Sequence, residues 1–354
     1  MSRIVSAERL TAAVAQACAR MGARAEDARR VATLLVRSDL AGYASHGVFR
    51  LAQYHEWWRK GLLRPDARPA VAAETAYAAQ VDGRQAFGQV AATFATGVAI
   101  EKVRRSSIGV VTLRGSNHIG RLADYSDDIR SAGFIGLCMA NDAGAGQVVA
   151  PHGGMDGRLS TNPISVAIPG GPGGGILFDF STAAAAHGKI RQLLLRNESV
   201  PPGWLLDASG APTQDPAAAF GEPPGAILPA AGPRGFALSL TVEVLAGILS
   251  GAGWAGPDPG PEEMNGVFIL ALDVAPFVAP DEFRRRVDAL TAHVKTARPA
   301  PGSEGVRIPG ARSREEMERR RRAGLPLPDS TWAKLEGVFR ELGMEGAMEA
   351  VRDA

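Results

Sequence analysis

The sequence of 354 residues predicts a mixed α/β chain of the α+β type, in two parts. Helices from both ends, residues 1–114 with 286–354, form one part, and a strand-bearing middle, residues 115–285, forms the other. Three observations lead there. Helical periodicity marks both ends, and short apolar runs bounded by Gly and polar clusters fill the middle. The G-x-G-x-x-G of "GAGWAG" (Gly251, Gly253, Gly256) follows a helical apolar run and precedes Pro257 and Pro259. A doubly wound parallel sheet needs a strand before that motif and a helix after it, so the middle is predicted to be something else.

Leu10, Ala13, Val14, Ala17, Cys18 and Met21 recur at helical spacing behind Ser6, a residue type that caps helices. A second helix spans about Ala25 to Leu40, burying Ala28, Val31, Ala32 and Leu35, with Glu26 and Asp27 at the positive end of its dipole. The polar stretch "SDLAGYASHGVFRLAQY" (38–54) follows directly. "GVVTLRGS" and "GFIGLCMAND" read as buried strands around a helix at Ile119–Ser131, a βαβ-like arrangement, and "ILFDFSTA" reads as a further strand. "GPDPGPEEMNG" (256–266) is a loop, after which "VFILALDVAPF" returns to strand. Helices close the chain near 280–296, near 313–323 and over "DSTWAKLEGVFREL", the last capped by Asp329 or Ser330.

Composition narrows the function. With 45% apolar residues the chain can build a sizeable core, and 39 Lys and Arg against 37 Asp and Glu leave a net charge of +2. No field of that size points to nucleic acid or an anionic membrane, so a small-molecule partner is the default. Cys18 and Cys138 stand far apart with no metal-ligand spacing, which predicts reduced thiols and no metal site. The N-terminus has no continuous apolar region, and the apolar run Phe236–Leu249 is too short for a membrane span and contains Glu243, so a cytoplasmic protein is expected. Gly188-Lys189 is followed by Ile190 rather than the Ser or Thr of a P-loop. The run Arg319–Arg322 can pair with Glu315, Glu316 and Glu318 along one helix face.

Chemistry concentrates in "SHGVFR". His46 and Arg50 are four apart, and on a helix they would share a face, setting a titratable group beside a cation that can grip a carboxylate through two hydrogen bonds. Such a pair suits a 2-oxo or 2-hydroxy acid. A buried structural histidine beside a surface ion-pair partner is the plainer alternative. Ser116, Asn117 and His118 precede the helix expected at Ile119, whose N-terminus could hold an anion while His118 faces the site.

The motifs "SDLAGYASHGVFRL" (38–51), "SNHIG" (116–120), "APHGGMDGRLSTNPISVAIP" (150–169), "DFSTAAAAHGKI" (179–190), "PPGWLLDASGAPTQDP" (201–216), "PRGFALSLTVEVLAGILSGA" (233–252) and "VRIPG" (306–310) occur in this order over almost the whole chain. Together they resemble the malate/L-lactate dehydrogenase family, the non-Rossmann group that also holds ureidoglycolate, sulfolactate and diketogulonate oxidoreductases and cyclic imino acid reductases. The resemblance implies an NAD- or NADP-dependent oxidoreductase acting on a small 2-oxo or 2-hydroxy acid, with the cofactor in a largely antiparallel-sheet domain, here 115–285. It further implies a homodimer, with substrate and dimer contacts in the helical part. His46, Arg50 and Ser45 are placed at the substrate, and His118 near the reacting centre. Either histidine could donate the proton, and the preference falls on His118, with His46 orienting substrate or acting as relay. Cofactor contacts are carried over to Ser116, Asn117, Thr161, Asn162, Pro163, Asp179, Ser181, Thr182, Arg234, Gly235, Pro309 and Gly310. Arg234 stands where the family usually has Lys, His152 where Trp or Tyr is common, His187 where Arg is common, and Ala311 where "PGE" is common. A reductase of cyclic imino acids would use the same groups, and a nicotinamide-binding protein without catalysis is the rival from another class.

Overall fold

Ser6 accepts the N–H of Arg9 at 3.3 Å and opens α1 (Ala7–Arg20), whose apolar stripe packs on that of α2 (Ala25–Leu40). The computed structural model describes residues 2–172, 174–257 and 264–352, so most of the loop expected at 256–266, its residues 258–263, lies outside the described residues. Strand β1 (Ser2–Val5) reaches across the chain, and α3 (Leu51–Arg59) completes the N-terminal layer. The hairpin β2 (Ala70–Glu74) and β3 (Ala78–Asp82) comes next, then α4 (Gly88–Ser106), β4 (Ile108–Ser116), α5 (Ala123–Ser131), β5 (Ile135–Asn141), β6 (Pro163–Ile168) and β7 (Ile176–Ser181). Helix α6 (His187–Leu195) leads to the short strands β8 (Leu205–Leu206), β9 (Pro212–Thr213) and β10 (Ala226–Ile227). Then follow α7 (Pro233–Val242) with a π-helical extension (Glu243–Ile248), β11 (Asn265–Leu272), α8 (Pro280–Lys295), α9 (Ala311–Ala323), β12 (Leu325–Pro328), α10 (Asp329–Glu341) and α11 (Ala347–Arg352).

The large sheet has seven strands in the order β2-β3-β4-β11-β5-β6-β7, and of its six pairings only β3 with β4 is parallel. It is largely antiparallel, as expected. The βαβ-like middle is split: β4 and β5 flank α5 in sequence, but β11 runs between them and pairs antiparallel with both. Alternation along β11 sends Val267, Ile269 and Ala271 to the face covered by α4 and α5, and Phe268 to the face covered by α7. The helices sit close because Gly109 and Gly136 lack side chains. A Cβ at Gly109 would lie 2.3 Å from the Ala99 carbonyl oxygen of α4, and one at Gly136 would lie 2.7 Å from that of Ser126 in α5.

A separate core joins the two ends of the chain. Leu10, Val14 and Leu35 pack in one cluster with Trp332, Leu335 and Phe339, while β1 pairs antiparallel with β12. Cys18 lies in this core, where burial pushes its thiol up to about 12. The boundaries expected at 114/115 and 285/286 fall inside β4 and α8, and β2 and β3 already belong to the sheet. We propose instead that residues 2–63 with 311–352 form the helical part and that the sheet-bearing part begins at Ala70. Three local differences have plain causes. The helix expected from Ile119 begins only at Ala123, because Gly120 at φ +82° breaks the right-handed path and the Ile119 N–H goes to Asn265 Oδ1 at 2.9 Å. The residue before α10 is Pro328 rather than a polar cap, and α9 starts two residues earlier than expected, at Ala311 behind Gly310.

Gly109→Ala should lower stability by about 1–3 kcal/mol, since the added Cβ meets backbone that cannot rotate away. Urea denaturation would measure this, and an unchanged midpoint would contradict the close α4–β4 packing.

Candidate active site

The stretch between α2 and α3 folds as two 3₁₀ turns, Ala44–His46 and Val48–Arg50, rather than as one helix. The break is Gly47, whose backbone is extended. Asp39 causes it. Its Oδ2 accepts the Val48 N–H at 2.7 Å, and a Cβ at Gly47 would lie 2.0 Å from Asp39 Oδ1, so glycine is required. Arg320 of α9 donates to the Asp39 carbonyl oxygen at 2.6 Å and ties the turn to the C-terminal helices. Burial raises the Asp39 carboxyl to about 7, against the opposing pull of the Val48 N–H and Arg320.

The turn delivers His46 to His118, which lies beyond the end of β4. His46 Nδ1 is 3.3 Å from His118 Nε2, and the rings stack at 8° with centroids 5.4 Å apart. On the far side Tyr54 Oη is 2.9 Å from His118 Nδ1, and Gln89 Nε2 donates to Tyr54 Oη at 2.7 Å. Tyr54 Oη also lies 3.4 Å from the His118 carbonyl oxygen. We propose that the Tyr54 proton goes to His118 Nδ1, so that a neutral His118 donates from Nε2 to His46 Nδ1 and His46 keeps its proton on Nε2. Both rings are held neutral. Burial, then Arg50 and Arg121, lowers His46 to about 3, and burial, then Arg50 and His46, holds His118 well below the usual range. Both nitrogens of His118 are engaged, whereas among the described residues nothing accepts from His46 Nε2. We propose His46 as the proton donor in place of the His118 preferred from the sequence, because its Nε2 is the nitrogen of the pair that no described residue occupies.

Arg50 stands beside this pair without the shared helical face. Its Nε donates to the Ser45 carbonyl oxygen at 2.8 Å and its Nη1 to Gln53 Oε1 at 2.6 Å. The Ser45 Cβ lies 3.6 Å from where a Gly188 Cβ would be, so the first turn of α6 closes that side. Ser45, His46, Arg50 and His118 are therefore brought to one place by three segments.

With that geometry in hand, similarity to known proteins becomes informative. The sequence profile of the family described as malate/L-lactate dehydrogenase matches residues 5–336. The chain belongs to the malate/L-lactate dehydrogenase family. It is 38% identical over 317 residues to the L-sulfolactate dehydrogenase of Methanothermobacter thermautotrophicus, covering 88% of this chain and 89% of that one. Among solved structures it resembles the sulfolactate dehydrogenase of Methanocaldococcus jannaschii, with a TM-score of 0.88, 31% identity, and coverage of 98% and 99% of the two chains. It also resembles the delta1-piperideine-2-carboxylate reductase of Pseudomonas syringae, with a TM-score of 0.83, 28% identity, and coverage of 95% and 99%.

The positions carried over from this family as cofactor contacts separate into groups. Ser116 and Asn117 are buried, and their side chains serve the backbone: Ser116 donates to the Asn117 carbonyl, and Asn117 Nδ2 faces the carbonyls of Leu62, Gln85 and Ala86. The anion expected at the following helix is internal, since Asp179 Oδ2 accepts the Ala123 N–H at 2.8 Å. Asn162 donates to Ser239 and to Glu243 Oε1 at 2.9 Å, just before Pro163 opens β6. Ser181 and Thr182 both bond the Thr161 carbonyl oxygen. Gly235 lets α7 approach this knot, for its Cβ would lie 2.2 Å from the Ala230 carbonyl oxygen and 2.6 Å from that of Thr182, while the neighbouring Arg234 is exposed. Asp179, Pro309 and Gly310 line a different feature, a cavity of about 190 Å³, together with Tyr43, Arg121 and Ser313.

Tyr54, Gln89 and Arg121 escaped the sequence reading. Gln89 is fully buried in the first turn of α4, beside Val90, Ala91 and Ala92. Asp39 generates a test. Its folded pKa is raised, so the folded protein keeps a proton that the unfolded chain loses. The stabilisation is present in acid and is lost as pH rises from the ordinary carboxylate range to about 7. Asp39→Asn keeps an acceptor for Val48 and should remove this dependence. Denaturation midpoints at about pH 5 and about pH 8 would show a smaller decline in the variant, and parallel declines would contradict the assignment.

Proposed function

We propose that the chain catalyses reversible hydride transfer between a nicotinamide cofactor and C2 of a small 2-hydroxy or 2-oxo acid. The reading is carried by the stacked histidine pair beside the Arg50 guanidinium, in which His46 Nε2 is the nitrogen that no described residue occupies. In the reducing direction Arg50 holds the substrate carboxylate, and the carbonyl oxygen on C2 accepts a hydrogen bond from His46 Nε2–H. As negative charge develops on that oxygen it takes the proton. His46, which is only half-buried, regains a proton from solvent once the product has left, while the hydrogen bonds through His118, Tyr54 and Gln89 hold its ring in place. Oxidation runs these moves in reverse.

The residues present fit a nicotinamide dinucleotide. Arg234 is an exposed cation on the first turn of α7, beside the buried Gly235, a placement suited to a diphosphate. Arg234 would hold it. When bound, the nicotinamide supplies or accepts the hydride, and either NAD or NADP satisfies this chemistry. Exposed Leu240, Val244, Ile248 and Leu249 along α7 and its extension suit burial against a second copy, so we place the enzyme as a homodimer. Its two buried free thiols, Cys18 and Cys138, suit the cytoplasm.

Reduction of cyclic imino acids uses the same groups, with a C=N in place of C=O, and likeness to the Pseudomonas reductase makes it the second reading. Near-ultraviolet absorbance of NADH and NADPH, followed with a panel of 2-oxo acids and cyclic imino acids, separates the two. If neither class oxidises either cofactor, the proposal fails.

His46→Gln should lower turnover by about 10²–10⁴-fold while reduced-cofactor binding, read by fluorescence, survives. His118→Gln should cost less, because it leaves the terminal donor in place; the opposite order in steady-state kinetics would return the proton to His118. Arg50→Met should cut kcat/KM by at least about 10-fold through loss of the charged contact, with Arg50→Lys in between. If Arg50→Met weakened cofactor binding and spared the substrate constants, Arg50 would belong to the cofactor instead.

A further inference from the structure

A buried polar network runs from α7 to the loop of His118. Its hub is Glu243, 6% exposed, where α7 passes into its π-helical extension. Such wide turns are frequent at functional sites. Glu243 Oε1 accepts from Asn162 Nδ2 at 2.9 Å, and Oε2 accepts from Asn141 Nδ2 at 3.0 Å and from the Ala255 N–H at 3.1 Å. Among the described residues no cation pairs with this carboxylate, so amide N–H groups offset the cost of burying it.

The carboxylate sets the way both amides face. Asn141 and Asn162 turn their Nδ2 groups toward it and leave their Oδ1 atoms buried without a partner among the described residues. Asn162 Nδ2 also donates to Ser239, one turn before Glu243 on α7. Glycines make room for the hub: a Cβ at Gly247 would lie 2.4 Å from Asn141 Nδ2, and one at Gly266 would lie 2.6 Å from Asn141 Oδ1. From Asn141 the network continues to the histidines. The Asn141 carbonyl oxygen accepts from Asn265 Nδ2 at 3.0 Å, and Asn265 Oδ1 accepts the N–H of Ile119, the residue after His118, at 2.9 Å.

We infer that Glu243 is a positioning residue for hydride transfer: it fixes α7, whose first turn carries Arg234, against the loop that carries His118, so that a cofactor held by the one reaches a substrate held by the other. The inference rests on the proposed hydride transfer and on Arg234 as its diphosphate contact. It goes beyond them in naming the group that sets the distance between the two halves of the site.

Hydrogen exchange of the cofactor-free protein, followed by mass spectrometry, reads the network without turnover. Glu243→Gln keeps the shape but replaces one acceptor oxygen with an N–H group that faces another donor. Exchange should quicken in the peptides around Asn162 and also around Ile119. Quickening confined to Asn162 means that Glu243 serves only its own neighbours, and overturns the inference. Single turnovers of NADH or NADPH in a stopped-flow instrument read the chemistry. Their rate constant should fall by about 10- to 100-fold in Glu243→Gln, the effect of a misplacement of about 1 Å, with the amplitude kept. A loss of amplitude at an unchanged rate constant means fewer folded molecules and overturns the inference. Asn265→Asp keeps the acceptor for Ile119 and loses the donor to Asn141. If Glu243→Gln fails to fold, this variant decides by the same two measurements: a slower rate constant with faster exchange at Ile119 upholds the inference, and wild-type values overturn it. If the wild-type protein transfers hydride from neither cofactor, the proposed function has failed and the inference with it. If it does so and the variants keep its rate constant, the inference alone has failed.

Discussion

The hydrogen bond between Tyr54 and His118 crosses from one hydrophobic core to the other. Tyr54 is packed in the helical core, edge-on to Phe87 at 5.9 Å, and His118 follows β4, which lies beside the central strand of the sheet. Gln89, on the helix that covers the sheet, donates to the Tyr54 hydroxyl and holds it in place. The consequence is chemical as well as mechanical. Two cores that would otherwise meet only through apolar packing are locked in register by a polar chain, and the same chain fixes the orientation of the imidazole rings at the surface of the site.

A second constraint comes from the acid in the same stretch. Asp39 could have been part of the chemistry, since it stands seven residues from His46 in a cluster of functional side chains. It is instead the peg around which the turn is bent, and its closeness to Gly47 explains why no helix connects His46 with Arg50. Holding a carboxylate at low exposure is costly, and here the return is local geometry: the segment that presents Ser45, His46 and Arg50 is anchored to the backbone of Val48 and, through Arg320, to α9.

Much of this was legible in the sequence, for reasons that differ by element. The paired stripes of α1 and α2 and the continuous apolar runs of β4, β5 and β11 carry unambiguous periodicity, because each buries its side chains in a single direction or in both. The hairpin "AVAAETAYAAQVD" and α4, by contrast, bury mainly alanines and valines, so their inner faces stand out little from the small residues around them. His46, Arg50 and His118 were visible as polar residues in recognisable motifs. Tyr54 and Gln89 were not, because their importance lies in contact with His118 across long stretches of chain. For the same reason the motif "TNP" was readable while the use of Asn162, as a clamp on Ser239 and Glu243, was not.

The position of β11 bears on how the chain acquires this structure during synthesis. The strand that separates β4 from β5 is made more than a hundred residues after either. Until residue 272 has left the ribosome, the edges of β4 and β5 that will bracket it have no partner from this chain, and both are rich in apolar side chains. Unpaired strand edges of that kind invite intermolecular pairing, so the nascent protein passes through an interval of exposure set by sequence separation rather than by stability. The helical core closes later still, because α1 and α2 wait for α10 and for the pairing of β1 with β12. The ends of the polypeptide therefore meet last, and the histidine site, which needs both cores, becomes competent only after the whole chain is available.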